Sequence, residues 1–452
     1  MPASIRPLRV ALVCAVLTSG CLPTMVAHAQ GNPLDLDPSF AGDGTLEIQL
    51  ALNDYAAVGV FEGSGEIVVF GDSAPANPSN REGIMQRITA DGTPLTPARF
   101  PAQEFGCSVP RAFFSGIRLS TGDYLAGGFR QASCGGLPRV FSNLQLQSSG
   151  GITQTFDEVP FSNQLALVLG QVEQADGRII AVGLVSGSGF NVASYDVGVA
   201  RFLANGTLDT TFGSNGTFRW DHANARDNAY DVTIDAQGRI LISGVVTSAT
   251  GLDWVVLALD NNGALDSSFG TNGVFLYDRA GFDDGANELA VLPSGRIVVA
   301  GVTRADALSA DFTVLGLTQA GALDPGFGTD GVAIVDFGSS VASANAITVG
   351  PGGLIYVAGS AEIGGSGREA RDAVLTVLRA DGTPDTRLNG GAGVSFEFGD
   401  LPADFPQSID VDATGERILV TGFTDVDDQS NQRMGVARLI GLDSRLFADG
   451  YE

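Results

Sequence analysis

The sequence predicts an all-β protein, a seven-bladed β-propeller of four-stranded antiparallel blades. Three observations lead there: a glycine-marked strand that recurs seven times, a second landmark between copies, and chain ends that complete each other. A glycine preceding an apolar run stands at Gly65, Gly122, Gly177, Gly238, Gly295, Gly353 and Gly415, at intervals of 57, 55, 61, 57, 58 and 62 residues. A period of this length marks one supersecondary unit per repeat. The clearest copies read DAQGRILISGV, LPSGRIVVAGV and GPGGLIYVAGS.

One unit divides into four strands. In the copy around Gly238 they are 230–234, 240–246, 254–259 and 274–277, rich in β-branched and aromatic residues. Short Gly, Asn and Asp turns separate the first two, as tight hairpins require. One small antiparallel sheet cannot bury both of its faces. Sheets packed face to face around an axis bury them all. A β-helix has a much shorter coil, and separate small domains of ~60 residues each lack sufficient core.

The ends of the chain predict how the ring closes. Leu36 to Ile48, LDPSFAGDGTLEI, carries the second landmark and one strand, with no first three strands before it. The last unit has three strands, 408–411, 418–423 and 435–440, and then degenerates into GLDSRLFADGYE. The orphan strand at 45–49 is expected to pair near Gly435 to Leu439 and complete the last blade. The propeller then spans 30–443, after a leader at 1–29 and before a tail at 444–452.

The second landmark reads GTLDTTFGSNG, GALDSSFGTNG and GALDPGFGTDG, and fades to GTPDTRLNGGAG in the next copy. With the Gly-Arg-Ile strand it resembles the delta-60 repeat family of bacterial proteins, whose hallmark turn is Leu-Asp-x-x-Phe-Gly-x-x-Gly. The match is specific at Leu208–Gly216, Leu265–Gly273 and Leu323–Gly331, and good at Leu36–Gly44. It extends over about 34–440, with the first two units poor in the turn. The resemblance implies architecture and no common activity. RLFADGYE also looks like a short acidic-aromatic tail found on some exported bacterial proteins.

The first residues read as an export signal: Arg6 and Arg9, an apolar stretch from Val10 to Thr18, and Ala27-His28-Ala29 before Gln30. A competing reading takes Thr18-Ser19-Gly20-Cys21 as a lipoprotein site with Cys21 lipidated, although Thr18 stands where Leu is usual. No later stretch approaches the ~20 apolar residues of a membrane span. The expected location is the periplasm or the medium, and the expected state a monomer. Without the leader the chain has 23 arginines, no lysine and 51 acids, a net charge of −28. Such a surface repels phosphate backbones, which argues against nucleic acid, and favours solubility and cationic partners. Outside the leader only Cys107 and Cys134 remain, and in an oxidising compartment they are expected to form a disulfide. With His222 as the one nitrogen donor available, a zinc site lacks ligands.

Few residues offer chemistry by their pattern. No serine has Gly at both −2 and +2, and neither a P-loop nor a dinucleotide fingerprint appears. His222 lies in RWDHANARDN between blades, with no visible partner, and no site is expected to depend on it. Asp209, Asp266 and Asp324 recur in the landmark, where a structural role fits best: Asp bonds nearby amides, Phe packs between sheets and Gly takes positive φ. Asp425 to Asn431 begins like a calcium loop, but Ser430 and Val436 occupy the places of the required Gly and Glu. An irregular Ca2+ site stays open there, while the cofactor expectation is none. Asp278, Asp283, Asp284 and Glu288 read as a solvated acidic loop.

Propeller geometry nevertheless locates the individuality of the chain. The a–b and c–d turns share one face; the b–c and d–a loops share the other. Loops that differ between blades, at 73–81, 185–194 and 361–371, belong to the second face, where binding residues concentrate. Inner strands begin there with Arg111, Gln164, Tyr230, Asn287, Asn345 and Gln407, expected to form a polar ring at the channel mouth or to satisfy the backbone. Three functions follow. The first is an exported non-catalytic propeller that binds a protein or glycan through this face. The second is a hydrolase or lyase using carboxylates around the channel, and the third a calcium-stabilised structural surface protein.

Overall fold

The computed structural model describes residues 32–442 apart from 64, 75–80, 101, 105–106, 132–138, 160, 162–165, 187–194, 366, 368–369 and 426–431, without the side chains of 102–104, 107–109 and 139–140. The leader, the tail, Cys21 and most of the calcium-like stretch after Asp425 therefore lie outside the described residues, as do much of the loops at 73–81 and 185–194. Seven four-stranded antiparallel sheets are arranged as blades, each with strands a to d running outward from the centre. The innermost a strands are Asn53–Phe61, Arg111–Arg118, Ala166–Glu173, Asp227–Ile234, Gly285–Val291, Ala342–Val349 and Ala403–Val411. An unexpected hairpin, Ala102–Glu104 with Cys107–Val109, stands between the first two blades.

The ring closes as the chain ends imply. Strand Thr45–Ile48 pairs with strand Arg433–Ile440 as the fourth strand of blade seven, with Thr45 opposite Ala437 and Ile48 opposite Met434. Leu34 and Ile440 extend the seam, since Leu34 N donates to the Ile440 carbonyl at 2.7 Å.

Strand composition follows position in the blade. A b strand is covered on both sides by neighbouring blades, so Ile179–Ser186 and Ile67–Ala74 are buried at every residue and read as continuous apolar runs. A d strand is the outer edge and only half covered, as at Val274–Tyr277. Seven separate apolar clusters fill the seven gaps between blades, one per junction. Each fully buried Val, Leu, Ile or Phe contributes roughly 1.5–3 kcal/mol, and the cluster between blades six and seven is larger than the one between blades one and two.

The landmark turn stitches blades three, four, five and seven to the blades that follow them. Asp209 Oδ1 accepts from Thr211 N at 3.1 Å, and Asp266 and Asp324 do the same for Ser268 N and Gly326 N at 2.9 Å. Phe212, Phe269, Phe327 and Phe40 are completely buried. Arg201, Arg239, Arg296 and Arg438 lie over these four rings, 4.7–5.7 Å from the centroids, adding cation–π contact to the charge pairing. The structural role expected for the repeated aspartates is the one observed.

Candidate functional site: the central channel

Every a strand carries a β-bulge at one position. The pairing with strand b skips a residue after Ala56, Phe113, Val168, Ala229, Ala286, Ala344 and Pro406. The extra residues are Ala57, Phe114, Leu169, Tyr230, Asn287, Asn345 and Gln407. Opposite each bulge strand b has glycine: a Cβ at Gly71, Gly128, Gly183, Gly244, Gly301, Gly359 or Gly422 would lie 1.8–2.1 Å from an a-strand carbonyl oxygen. Only glycine admits that approach.

A bulge breaks the two-residue alternation of a strand, so two successive side chains turn to the axis. Tyr230 and Asp231, Asn287 and Glu288, and Gln407 and Ser408 all line a central cavity of about 560 Å³. Its wall is divided. Blades one to three give Ala57, Phe114 and Leu169 at the bulge; blades four to seven give Tyr230, Asn287, Asn345 and Gln407.

The polar half is hydrogen-bonded from blade to blade. Asn287 Nδ2 donates to the Ala344 carbonyl at 2.8 Å, and Asn345 Nδ2 to the Pro406 carbonyl at 2.9 Å. Tyr55 Oη donates to Gln407 Oε1 at 2.6 Å. The next residue along accepts: Asp231 Oδ2 from Leu289 N at 3.1 Å, Glu288 Oε2 from Ile347 N at 2.7 Å, and Ser408 Oγ from Gly59 N at 2.9 Å. The ring thus satisfies neighbouring backbone and lines the channel at the same time.

Asp231 and Glu288 sit at equivalent positions of adjacent blades and are the chemically distinctive pair. Burial, opposed by the amide of Leu289, pushes the Asp231 carboxyl up to about 7. Burial and the Asp231 charge hold Glu288 well above the usual carboxylate range. Carboxyls raised in this way keep their protons to higher pH than ordinary carboxylates, as a general acid requires.

Four of the six expected ring residues, Tyr230, Asn287, Asn345 and Gln407, come together, but in mid-strand rather than at its start. Arg111 does not join them: it opens its strand three residues before the bulge, whose place Phe114 takes. Gln164 lies outside the described residues, and Leu169 holds the equivalent place. Glu288 is not in a solvated loop but on the channel wall, and Asp284 is buried, accepting from Arg279 N and Arg304 N. His222 is in a loop, its ring stacked on Trp220 at 5.7 Å. Cys107 lies in the hairpin before blade two, and Cys134 falls outside the described residues.

No helix of the described residues is long and apolar enough to cross a membrane. A family model described as a domain of unknown function, DUF5122 beta-propeller, matches residues 174–212 and 237–269. No curated protein matches the chain. Among solved structures, a protein of unknown function from Dyadobacter fermentans is similar at 13% identity, covering 88% of this chain and 97% of that one, with a TM-score of 0.46. An α-L-arabinanase from Penicillium chrysogenum complexed with arabinobiose is similar at 12% identity, 88% and 99% coverage and a TM-score of 0.43. The NanB sialidase of Streptococcus pneumoniae is similar at 12% identity, 90% and 71% coverage and a TM-score of 0.41. With seven blades cut from one repeated unit, the chain is a propeller-repeat protein.

Proposed function

We propose that this chain is an exported binding propeller that takes the end of a glycan, or a similarly hydroxyl-rich ligand, into its channel from the face with the differing loops. The divided wall carries the reading: Phe114 and Leu169 on one side, Tyr230, Asn287, Asn345 and Gln407 on the other. A sugar ring has hydroxyls at its edge and C–H groups on its faces, and a pocket with apolar surface and a few placed polar groups suits it. Arrayed glycans probed with the mature protein test this. A true ligand loses at least tenfold in affinity with Gln407→Leu and with Phe114→Ala. If no glycan binds, or binding ignores both changes, the reading fails.

Asp231 and Glu288 favour a second reading, in which the bound sugar is cleaved by this carboxylate pair. Release of reducing sugar by the wild type, abolished in Asp231→Asn and Glu288→Gln, would support it. Binding without release leaves the first reading standing. We also assign the repeat to the delta-60 type on its Leu-Asp-x-x-Phe-Gly-x-x-Gly turns, and Cys107 and Cys134 to one disulfide. Two free thiols by intact mass, in protein made in an oxidising compartment, would remove that bridge.

A further inference from the structure

We propose that the junction of blades three and four holds a divalent cation, calcium by its all-oxygen donors, between Asp196, Asp221 and Asp227. Three separate pieces of chain bring these carboxylates together. Asp196 is the second residue of strand Tyr195–Phe202, Asp221 directly follows strand Thr217–Trp220, and Asp227 opens strand Asp227–Ile234. One oxygen from each lies within 4.8 Å of the others, the one such group among the described residues. Asp196 and Asp227 are buried and Asp221 is exposed, so an ion has both a dry seat and a way in.

The second observation is an oxygen without a partner. Asp227 is 0% exposed, and its Oδ1 makes no hydrogen bond. Its Oδ2 accepts from His222 N at 2.5 Å, which accounts for a loop-capping role but not for the other oxygen. Blade five shows how the capping role is completed without an ion. There Asp284 Oδ1 accepts from Arg304 N at 2.7 Å. The matching amide in blade four, Thr247 N, donates to the Arg226 carbonyl at 3.0 Å and only weakly favours the Asp227 carboxylate. A buried carboxylate oxygen left in this state is destabilising, and a cation removes the penalty.

Charge points the same way. Arg219 pairs with Asp196 and offsets one negative charge of three. Among the described residues no ion pair compensates Asp221 or Asp227. Carboxylate oxygens, with water completing the shell, are donors for a hard cation that accepts irregular geometry, as calcium does.

The test uses the full mature protein, stripped with EDTA, and two probes. Trp220 adjoins Asp221, so terbium bound here emits on tryptophan excitation, and calcium displaces it. Wild-type protein is expected to melt several degrees higher in 1 mM calcium than in EDTA. Asp221→Asn, at an exposed position, leaves the fold intact and weakens calcium binding at least tenfold. Asp278→Asn, at the matching place one junction on, leaves it unchanged. The proposal is overturned if calcium changes neither melting nor terbium emission. It is equally overturned if Asp221→Asn binds as the wild type does, or if Asp278→Asn weakens binding as much, because the ion then belongs to the acidic surface at large.

Discussion

In blade three, Arg201 and Asp209 stand eight residues apart and pair at 2.8 Å, with the guanidinium over Phe212. In blade seven, Arg438 and Asp37 make the same pair at the same distance over Phe40, but they are separated by 401 residues. All four charged groups are at most 4% exposed. Each arginine also donates to the next blade, Arg201 to the Asn261 carbonyl and Arg438 to the Ala90 carbonyl. The folded contacts are alike apart from Arg178, a second partner 3.4 Å from Asp209, so the two blades differ mainly in what the unfolded chain must do to make them. Closing a short hairpin loses little entropy; joining the two ends of a chain this long loses more. The comparison teaches that the last blade is the seam through which the ring opens.

Deleting residues 30–50 breaks the comparison outright. It removes the strand Thr45–Ile48 with Asp37 and Phe40, and bares the edge of strand Arg433–Ile440. Exposed strand edges recruit other chains. The truncated protein is expected to lose more than about 10 °C in melting temperature and to self-associate, read by light scattering. A monomer of unchanged melting temperature would refute the seam.

Arginine removal comes next. Arg438→Ala strands the buried Asp37, at about 3–5 kcal/mol, whereas after Arg201→Ala the carboxylate of Asp209 keeps Arg178 at 3.4 Å. Arg438→Ala is therefore expected to be the more destabilising, and the routes differ as well. Limited proteolysis should cut near residues 34–48 much faster in Arg438→Ala than in Arg201→Ala. Equal cutting rates would show that the seam opens no more readily than an ordinary blade.

A smaller pair of changes sharpens the point. Gly44 and Gly216 occupy the same turn position with φ of +96° and +95°. A Cβ would sit 2.7 Å from Leu36 Cβ in one and 2.5 Å from Leu208 Cγ in the other. Each Gly→Ala is expected to lower stability by about 1–3 kcal/mol, measured by urea denaturation. A large difference between the two would mean that the folded turns are not equivalent.

The smallest expected effect is a dependence on pH set by Asp404 of blade seven, which has no counterpart at the same strand position of blade three. Burial pushes Asp404 up to about 8, and Glu397 and Asp372 add to the shift; blade three has Ala166 at the equivalent place. A folded pKa above the unfolded value of 3.8 means that the native state holds the proton more tightly. The resulting stability is full below about pH 4 and drains as pH rises through about 8. In EDTA, the wild type should therefore lose about 2–4 °C more than Asp404→Asn between pH 5 and pH 8. Asp209 has the opposite sign. Its carboxyl is lowered, with burial outweighed by Thr211 and Arg201, so its contribution is lost only as pH falls through the acid range.

Much of this was legible from residues alone, and the failures have one cause. In the blade around Gly238 the expected strands at 240–246, 254–259 and 274–277 match those observed to within two residues at each end. Tyr230, Asn287, Asn345 and Gln407 stood out as polar residues at the head of apolar strands. Asp231 and Glu288 did not, because alternation assigns the neighbour of a channel residue to the opposite face. The bulge overrides alternation. In blade two Arg111 is the polar residue at the head of the strand, but the ring position is Phe114, which polarity does not mark. A cue was present in the glycines of strand b, such as Gly244 and Gly301, whose missing side chains admit the bulged backbone.

Residue order alone carries the number of blades, the order of strands within each and the way the ends meet. These follow from turn chemistry, hydrophobic runs and an interval repeated along the chain, all local properties. Which side chains face the axis and which acids meet between blades is set by the packing of the ring. Asp231 and Glu288 are 57 residues apart, and Asp196, Asp221 and Asp227 lie on three different segments. Ring curvature and one bulge per blade bring such residues together, because each blade is positioned by packing against its neighbours rather than by the residues on either side of it in the chain.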